Sequence, residues 1–438
     1  MLFGNSRGWK TLGALISAVL IVSLLSACGS AESPQPSQSS QPAASTKAPA
    51  PSQSSQPAAS TKAPEPSKLA TLPEKPIKIG VILTTSGPLG PIGSKQMLGI
   101  EIALDEINAT GGIIGRKVEI VARDDGADPT KGRTAAQELV EKEGISLIIG
   151  TTNSSPALAM LPYLTEQKVL LIGSHSADQA SDPTKYPYGF TGSPVATQQA
   201  AAVVKYAVEV LKSKNIGILA DSGAYGKSTT DAYMQVLQGF GAKPVATEQY
   251  SVGATDVTTQ LNSLKKAGVD AILSTSLAAD TVRILKNMKS IGWDVPYLGN
   301  SDLATATVVD GVGAENMEKV YSYYQKRMAF SDKVPILPKT KAFADKLKKK
   351  LNQSPLKEGV QQPSLMYDIM YMLKKGVEDA KSTEGPKVAA ALEQFKDFDG
   401  AHAAFTFTKQ VHGGMKLDDV VMVKAASLND GFFQLAPY

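Results

Sequence analysis

Two doubly wound α/β lobes are what this sequence predicts. Short apolar runs alternate with helical patterns, the alternation occurs in two long series, and 438 residues with 42% hydrophobic content suffice for two cores. Strands that alternate with helices call for right-handed crossovers and parallel sheets covered on both faces.

The first series opens at Ile77–Leu83, an apolar run stopped by Thr84, Ser86, Gly87 and Pro88, which reads as a strand. Met97, Ile100, Ala103, Leu104 and Ile107 then recur at helical spacing, and Asn108 with the Gly111-Gly112 pair ends them. Strand at 118–122, helix at 130–142, strand at 145–149, helix at 155–167 and strand at 169–172 follow. After Pro194 the second series runs helix 197–212, strand 216–220, helix 225–240, strand 245–249, helix 256–266, strand 271–274, helix 280–290 and strand 297–298. Beyond Tyr321 come helices near 340–351, 363–380 and 386–395, then β-rich pieces at 403–408, 418–424 and 432–435 that lack a sheet of their own.

The start of the chain is of a different kind. Arg7 and Lys10 precede an apolar run from Leu12 to Leu25, and Leu25-Ser26-Ala27-Cys28 supplies small residues at a cleavage point, the pattern of a secretory signal over residues 1–27. The run is shorter than the roughly 20 residues a membrane-crossing helix needs. Residues 28–75 are Ser, Pro, Gln, Ala and Thr with few large apolar side chains, so nothing there offsets the entropy of ordering, and a tether is expected. Within it, the segment from Pro36 to Pro49 recurs letter for letter from Pro51 to Pro64.

Composition removes several functions. The 45 basic and 41 acidic residues are interspersed, which gives no footprint for nucleic acid, and the lysine cluster at Lys346, Lys348, Lys349 and Lys350 reads as a solvated helix face. One cysteine cannot form an intramolecular disulfide, and with three histidines it cannot assemble a cysteine-rich zinc site. No metal or cofactor is expected.

Ligands of open α/β sheets bind beyond the carboxyl ends of the strands, so the loops there are the candidates for a site. After the 216–220 strand, the run Asp221 to Ser228 matches a phosphate-binding loop at Gly226-Lys227-Ser228, but Asp221 stands where the leading glycine belongs and would repel phosphate. Ser174-His175-Ser176 lacks the Gly-x-Ser-x-Gly elbow of a serine nucleophile, and His402 and His412 lack metal-ligand spacing. Catalysis is therefore not expected. A better signal is Gly150-Thr151-Thr152-Asn153-Ser154-Ser155-Pro156, with Ser154 or Ser155 suited to a helix cap and Pro156 to the first helical position. Free backbone N–H groups at such a terminus suit a carboxylate, although helix capping alone also explains the residues.

These motifs, in their order, resemble the leucine/isoleucine/valine-binding protein family of ABC transport. The resemblance runs from Ile77 to Gln434. It rests on Ile79-Gly80-Val81 with Ser86-Gly87-Pro88, Gly99 to Asn108 with Gly111-Gly112-Ile113 and Gly115, Asp124-Asp125 with Asp128-Pro129, Ile149-Gly150 with Ser154-Ser155, and Tyr225-Gly226. Leu-Ser-Ala-Cys28 is likewise similar to a bacterial lipobox, which implies lipidation of Cys28 and anchorage to the outer face of the cell membrane. The resemblance implies Rossmann-like lobes joined by three hinge crossings, with 76–196 plus about 327–400 in the first lobe and 197–326 plus about 401–438 in the second. It implies a monomer that closes on a small carboxylate and delivers it to an ABC permease. Ser154 and Ser155 would hold the ligand carboxylate, the segment His175, Ser176 and Ala177 would lie opposite, and Tyr225 would cap the site. This chain departs from the family where Ile92 and Leu277 replace aromatic residues and Ala177 replaces a threonine that meets the ammonium. The acid completing ammonium binding aligns at or next to Ser301, so Asp302 has to serve. A branched-chain or other apolar amino acid is the ligand class implied, with a non-amino carboxylic acid, or a sensory role at a membrane receptor, as alternatives.

Overall fold

A computed structural model of the chain describes residues 75–438, all within one compact unit, Leu69–Tyr438. The apolar run and Cys28 lie outside the described residues.

The first sheet has β1 (Ile77–Leu83), β2 (Val118–Asp124), β3 (Leu147–Gly150), β4 (Leu170–Gly173) and β5 (Gly189–Thr191) in the order β2-β1-β3-β4-β5, every pair parallel. Only Lys78 of β1 is exposed, and β3 and β4 are buried throughout, as a parallel sheet covered on both faces requires. The crossovers are α1 (Gly90–Ala109), α2 (Pro129–Glu141) and α3 (Ser154–Glu166).

A second sheet of eight strands follows. Its parallel part is β6 (Ile216–Asp221), β7 (Ala246–Tyr250), β8 (Ala271–Thr275), β9 (Tyr297–Gly299) and β10 (Val320–Gln325), connected through α5 (Ala224–Gly239), α6 (Thr258–Lys266), α7 (Ala278–Ser290) and α8 (Ala306–Val312), after α4 (Ala196–Lys205) has led in. The short β11 (Ala329–Phe330) lies at the edge beside β15 (Phe432–Leu435), and β14 (Val420–Asn429) joins β15 to β10 antiparallel. Between them in sequence come α9 (Pro338–Leu351), α10 (Gln361–Ala380), α11 (Gly385–Leu392) and a two-residue hairpin of β12 (Phe398–Asp399) with β13 (Ala404–Phe405). The two-lobed α/β architecture expected from the sequence is thus the observed one.

The C-terminal segments return to both sheets. α10 packs along α1 so closely that a Cβ on Gly99 would sit 1.9 Å from the Pro363 carbonyl oxygen. Two turning points differ from expectation. Ala329–Phe330 still pairs in the second sheet, past the expected change near 327. The stretch before β14 stays with the first sheet, since Gly413 bridges Thr191 and His412 stacks on Phe190 at 3.8 Å. The expected helix 197–212 keeps its α form only to Lys205 and finishes as a wider π turn, Tyr206–Val210.

Candidate functional site

The carboxyl ends of β3, β4, β6 and β9 aim their loops into the space between the lobes. Between β3 and α3, Asn153 caps the helix by accepting the Ser155 N–H on its side-chain oxygen at 2.8 Å. This corrects the expected cap: Ser154 is the first helical residue, and Pro156 stands third, where its missing N–H is still one of the unpaired donors of a helix start. β4 ends hard against β3, where a Cβ on Gly173 would lie 1.6 Å from the Gly150 carbonyl oxygen. That approach lets Ser154 Oγ accept from the backbone N–H groups of Ser176 and Ala177, both at 3.1 Å, and leaves its own proton free to donate.

From the second lobe come Tyr225, on the first turn of α5, and Asp302, in the turn after β9. The Tyr225 hydroxyl donates to Gln199 Oε1. Burial holds its pKa well above the ordinary value, and the nearby Tyr323, Tyr233 and Asp302 add to that. Asp302 has its carboxyl pushed up to about 7, first by burial and then by the charge of Asp221, against opposing pulls from Lys95 and the Asn300 amide.

Ser154, Ser176, Tyr225 and Asp302 line one cavity of about 70 Å³, together with Asn153, Ser174, Ser193, Asn300, Ser301, Tyr323, Gln361, Gln362 and Leu365. It holds about five water-sized volumes. Larger hollows exist, but the one of about 300 Å³ around Trp293 and Val320 opens at the amino ends of β9 and β10, the wrong end of the strands for a ligand.

The remaining candidates fall around this cavity. Ser155 turns to the other lobe, its Oγ 3.4 Å from the Ala224 nitrogen, and Ser228 Oγ reaches the Asp178 nitrogen at 3.2 Å beside it. Ile92 lines an adjoining hollow of about 30 Å³ with Asp302 and the Lys95–Glu358 ion pair. Leu277 caps α7 and Ala177 is 1% exposed, both outside the lining. His175 is also 1% exposed, and neither ring nitrogen has a hydrogen-bond partner among the described residues. Burial lowers its pKa to about 4, a core histidine rather than a cleft one. Asn153 and Ser174 lie inside runs the sequence singles out, but Ser193, Asn300, Tyr323 and the adjacent Gln361 and Gln362 of α10 carry no local pattern that points to a site.

Among the described residues no three His, Cys, Asp or Glu side chains gather for a metal, and no helix is long and apolar enough to cross a membrane. The model of the periplasmic binding protein family matches residues 76–427. The chain belongs to that family.

Members of it bind solutes and are not enzymes. Among the relatives, the Leu/Ile/Val-binding protein BraC3 of Rhizobium johnstonii is 28% identical over 77% of this chain and 89% of its own length. The leucine-, isoleucine-, valine-, threonine- and alanine-binding protein of Pseudomonas aeruginosa is 27% identical over 72% and 82%. Among solved structures, a periplasmic binding protein type 1 from Bordetella pertussis superposes with a TM-score of 0.75 at 27% identity, covering 83% of this chain and all (100%) of the other. The branched-chain amino acid transporter substrate binding protein LivJ of Streptococcus pneumoniae, solved with isoleucine, gives 0.70 at 25%, covering 82% and 98%.

Proposed function

We propose that this periplasmic binding protein is the extracytoplasmic, lipid-anchored solute receptor of an ABC importer. It takes a small carboxylate ligand, an amino acid in the first reading, into the cleft between its lobes and presents it to a membrane permease as a monomer. One observation carries the reading: around a single cavity, Ser154 on the first turn of α3 stands with the half-buried acid Asp302 of the other lobe. A helix start attracts a carboxylate, and a half-buried carboxylate without a salt-bridge partner among the described residues attracts an ammonium. An α-amino acid carries both charges on one carbon. The ligands for which the relatives are named support a branched-chain or other apolar amino acid; the hydroxyl-rich lining supports a small one.

A second reading, a carboxylic acid without an amine, is favoured by the raised pKa of Asp302, since a protonated acid has no need of a cation. A sensory role at a membrane receptor would use the same cleft. Ligand capture closes such a cleft by shifting an existing open–closed balance, and the closed form is what a permease or receptor would read.

The test is a thermal-shift panel of amino acids and simple carboxylic acids on the full chain. A ligand at about 100 times its Kd adds about 2.7 kcal/mol of stability, and a flat response across the panel would refute the reading. Anchorage is checked separately: Cys28→Ala is expected to shed the protein into the medium, and retention in the membrane fraction would reject lipidation at Cys28.

A further inference from the structure

Behind one wall of the cavity runs a relay of polar side chains. The Thr84 N–H donates to Thr152 Oγ1 at 3.0 Å, and the Thr152 hydroxyl donates to Gln96 Oε1 at 2.7 Å. Gln96 Nε2 then donates to Ser174 Oγ at 2.9 Å and to Gln362 Oε1 at 2.8 Å. The Ser174 hydroxyl has one proton and gives it to the Thr151 carbonyl, so it has to accept from Gln96 Nε2, which fixes how the Gln96 amide is turned. Gln96 is 1% exposed, and its surroundings leave it no other use. The Ser174 hydroxyl is spent as well, on the Thr151 carbonyl at 2.7 Å.

The relay ends at the cavity. Gln362 is one of the lining residues, and with its oxygen occupied by Gln96 only its carboxamide NH2 is left to pair; that nitrogen has no partner among the described residues. Asn153 repeats the arrangement, its oxygen committed to Ser155 and its nitrogen left over. Of the 13 residues lining the cavity, Leu365 alone is aliphatic. An aliphatic ligand side chain would cover these donors without pairing them, which a buried donor tolerates poorly.

We infer that the ligand carries, besides its carboxylate, a compact oxygen acceptor such as a hydroxyl or carboxamide, that Gln362 recognises it, and that Gln96 is the positioning residue. This rests on the cleft reading above and narrows its ligand class from aliphatic to small and polar.

Isosteric pairs test it by titration calorimetry on the full chain: threonine against valine, asparagine against leucine, and, without the amine, 3-hydroxybutanoate against 3-methylbutanoate. The polar member is expected to bind about tenfold tighter or more, since sites built to hydrogen-bond reject the analogue that cannot. Gln362→Leu is expected to close or invert that gap, and Gln362→Glu, which keeps the shape but removes the donor, to weaken the polar members with no gain for valine or leucine. Equal or tighter binding of valine and leucine by the unaltered chain overturns the inference, as does a ratio untouched by Gln362→Leu. Discrimination within the amine-free pair alone upholds the inference and rejects the amino acid reading. Silence across all three pairs rejects both.

Discussion

The two faces of the cleft are built on opposite plans. The first-lobe face is neutral, and its Asn153, Ser154 and Ser174 side chains are each tied to the backbone or to a neighbouring side chain before any ligand arrives. The second-lobe face is large and charged: Tyr225, Tyr323 and Asp302 bring rings and an acid whose pKa burial raises. Preorganised donors cost no rearrangement when an anion docks, so the first face suits initial capture. An acid largely withdrawn from water gains only when a cation reaches it, so the second face suits closure over a ligand already bound. The division of labour teaches where substitutions should cost affinity and where they should change its pH dependence.

The largest break in this scheme is expected at the seam. Ser155 Oγ lies 3.4 Å from the Ala224 nitrogen of the other lobe, so Ser155→Trp would wedge the faces apart while leaving the strands beneath untouched. Ligand affinity should fall more than about 100-fold, about 3 kcal/mol, with the circular dichroism spectrum of the domain retained. Calorimetry showing near-normal affinity would remove Ser155 from the seam.

Asp302 should have the next largest effect, and its sign depends on the ligand. Its folded pKa of about 7 means that below pH 7 the ligand-free acid is protonated and must lose a proton to meet an ammonium. Amino acid affinity should therefore weaken about tenfold for each pH unit below 7 and level off above it. Asp302→Asn should lower affinity near pH 8 by about tenfold or more and flatten the profile. A ligand without an amine should show no such loss on acidification, and a flat wild-type profile with a bound amino acid would remove Asp302 from ammonium recognition.

The fold was far more legible in the sequence than the site. Ile77–Leu83 was found to the residue because an unbroken apolar run has few alternatives to a buried strand. β5 was missed because Gly189-Phe190-Thr191 sits among proline and tyrosine and has one large apolar side chain, and β10 because Val320–Gln325 is tyrosine-rich and gains its burial only from β9 and β14. Of the site, Ser154 was legible from the helix start it occupies. Gln96 and Gln362 are 266 positions apart, and no local pattern announces a pair made by packing α10 on α1. Ile92, Ala177, His175 and Leu277 follow only from the resemblance to a family, which fixes a position along the chain and not the direction of a side chain.

His175 sharpens that last point, because the two faces predict opposite outcomes for it. Were it part of the ligand face, its removal would cost affinity. Placed as it is in the core, with both ring nitrogens unpaired among the described residues, His175→Leu should leave affinity within about twofold. Its effect belongs to stability. The folded pKa of about 4 lies below the ordinary 6.5, so the unfolded chain binds the extra proton first, and stability falls as pH drops from about 6.5 toward 4. A shift of that size is worth about 3 kcal/mol at the acid end. The buried carboxyls work in the opposite sense over much of the same range, Asp302 and Asp368 each being raised to about 7. The informative quantity is therefore the difference in thermal stability between variant and wild type, measured from pH 7 down to pH 4. That difference should move steadily in favour of His175→Leu as pH falls; a constant difference, or a large loss of ligand affinity, would place the imidazole at the cleft after all.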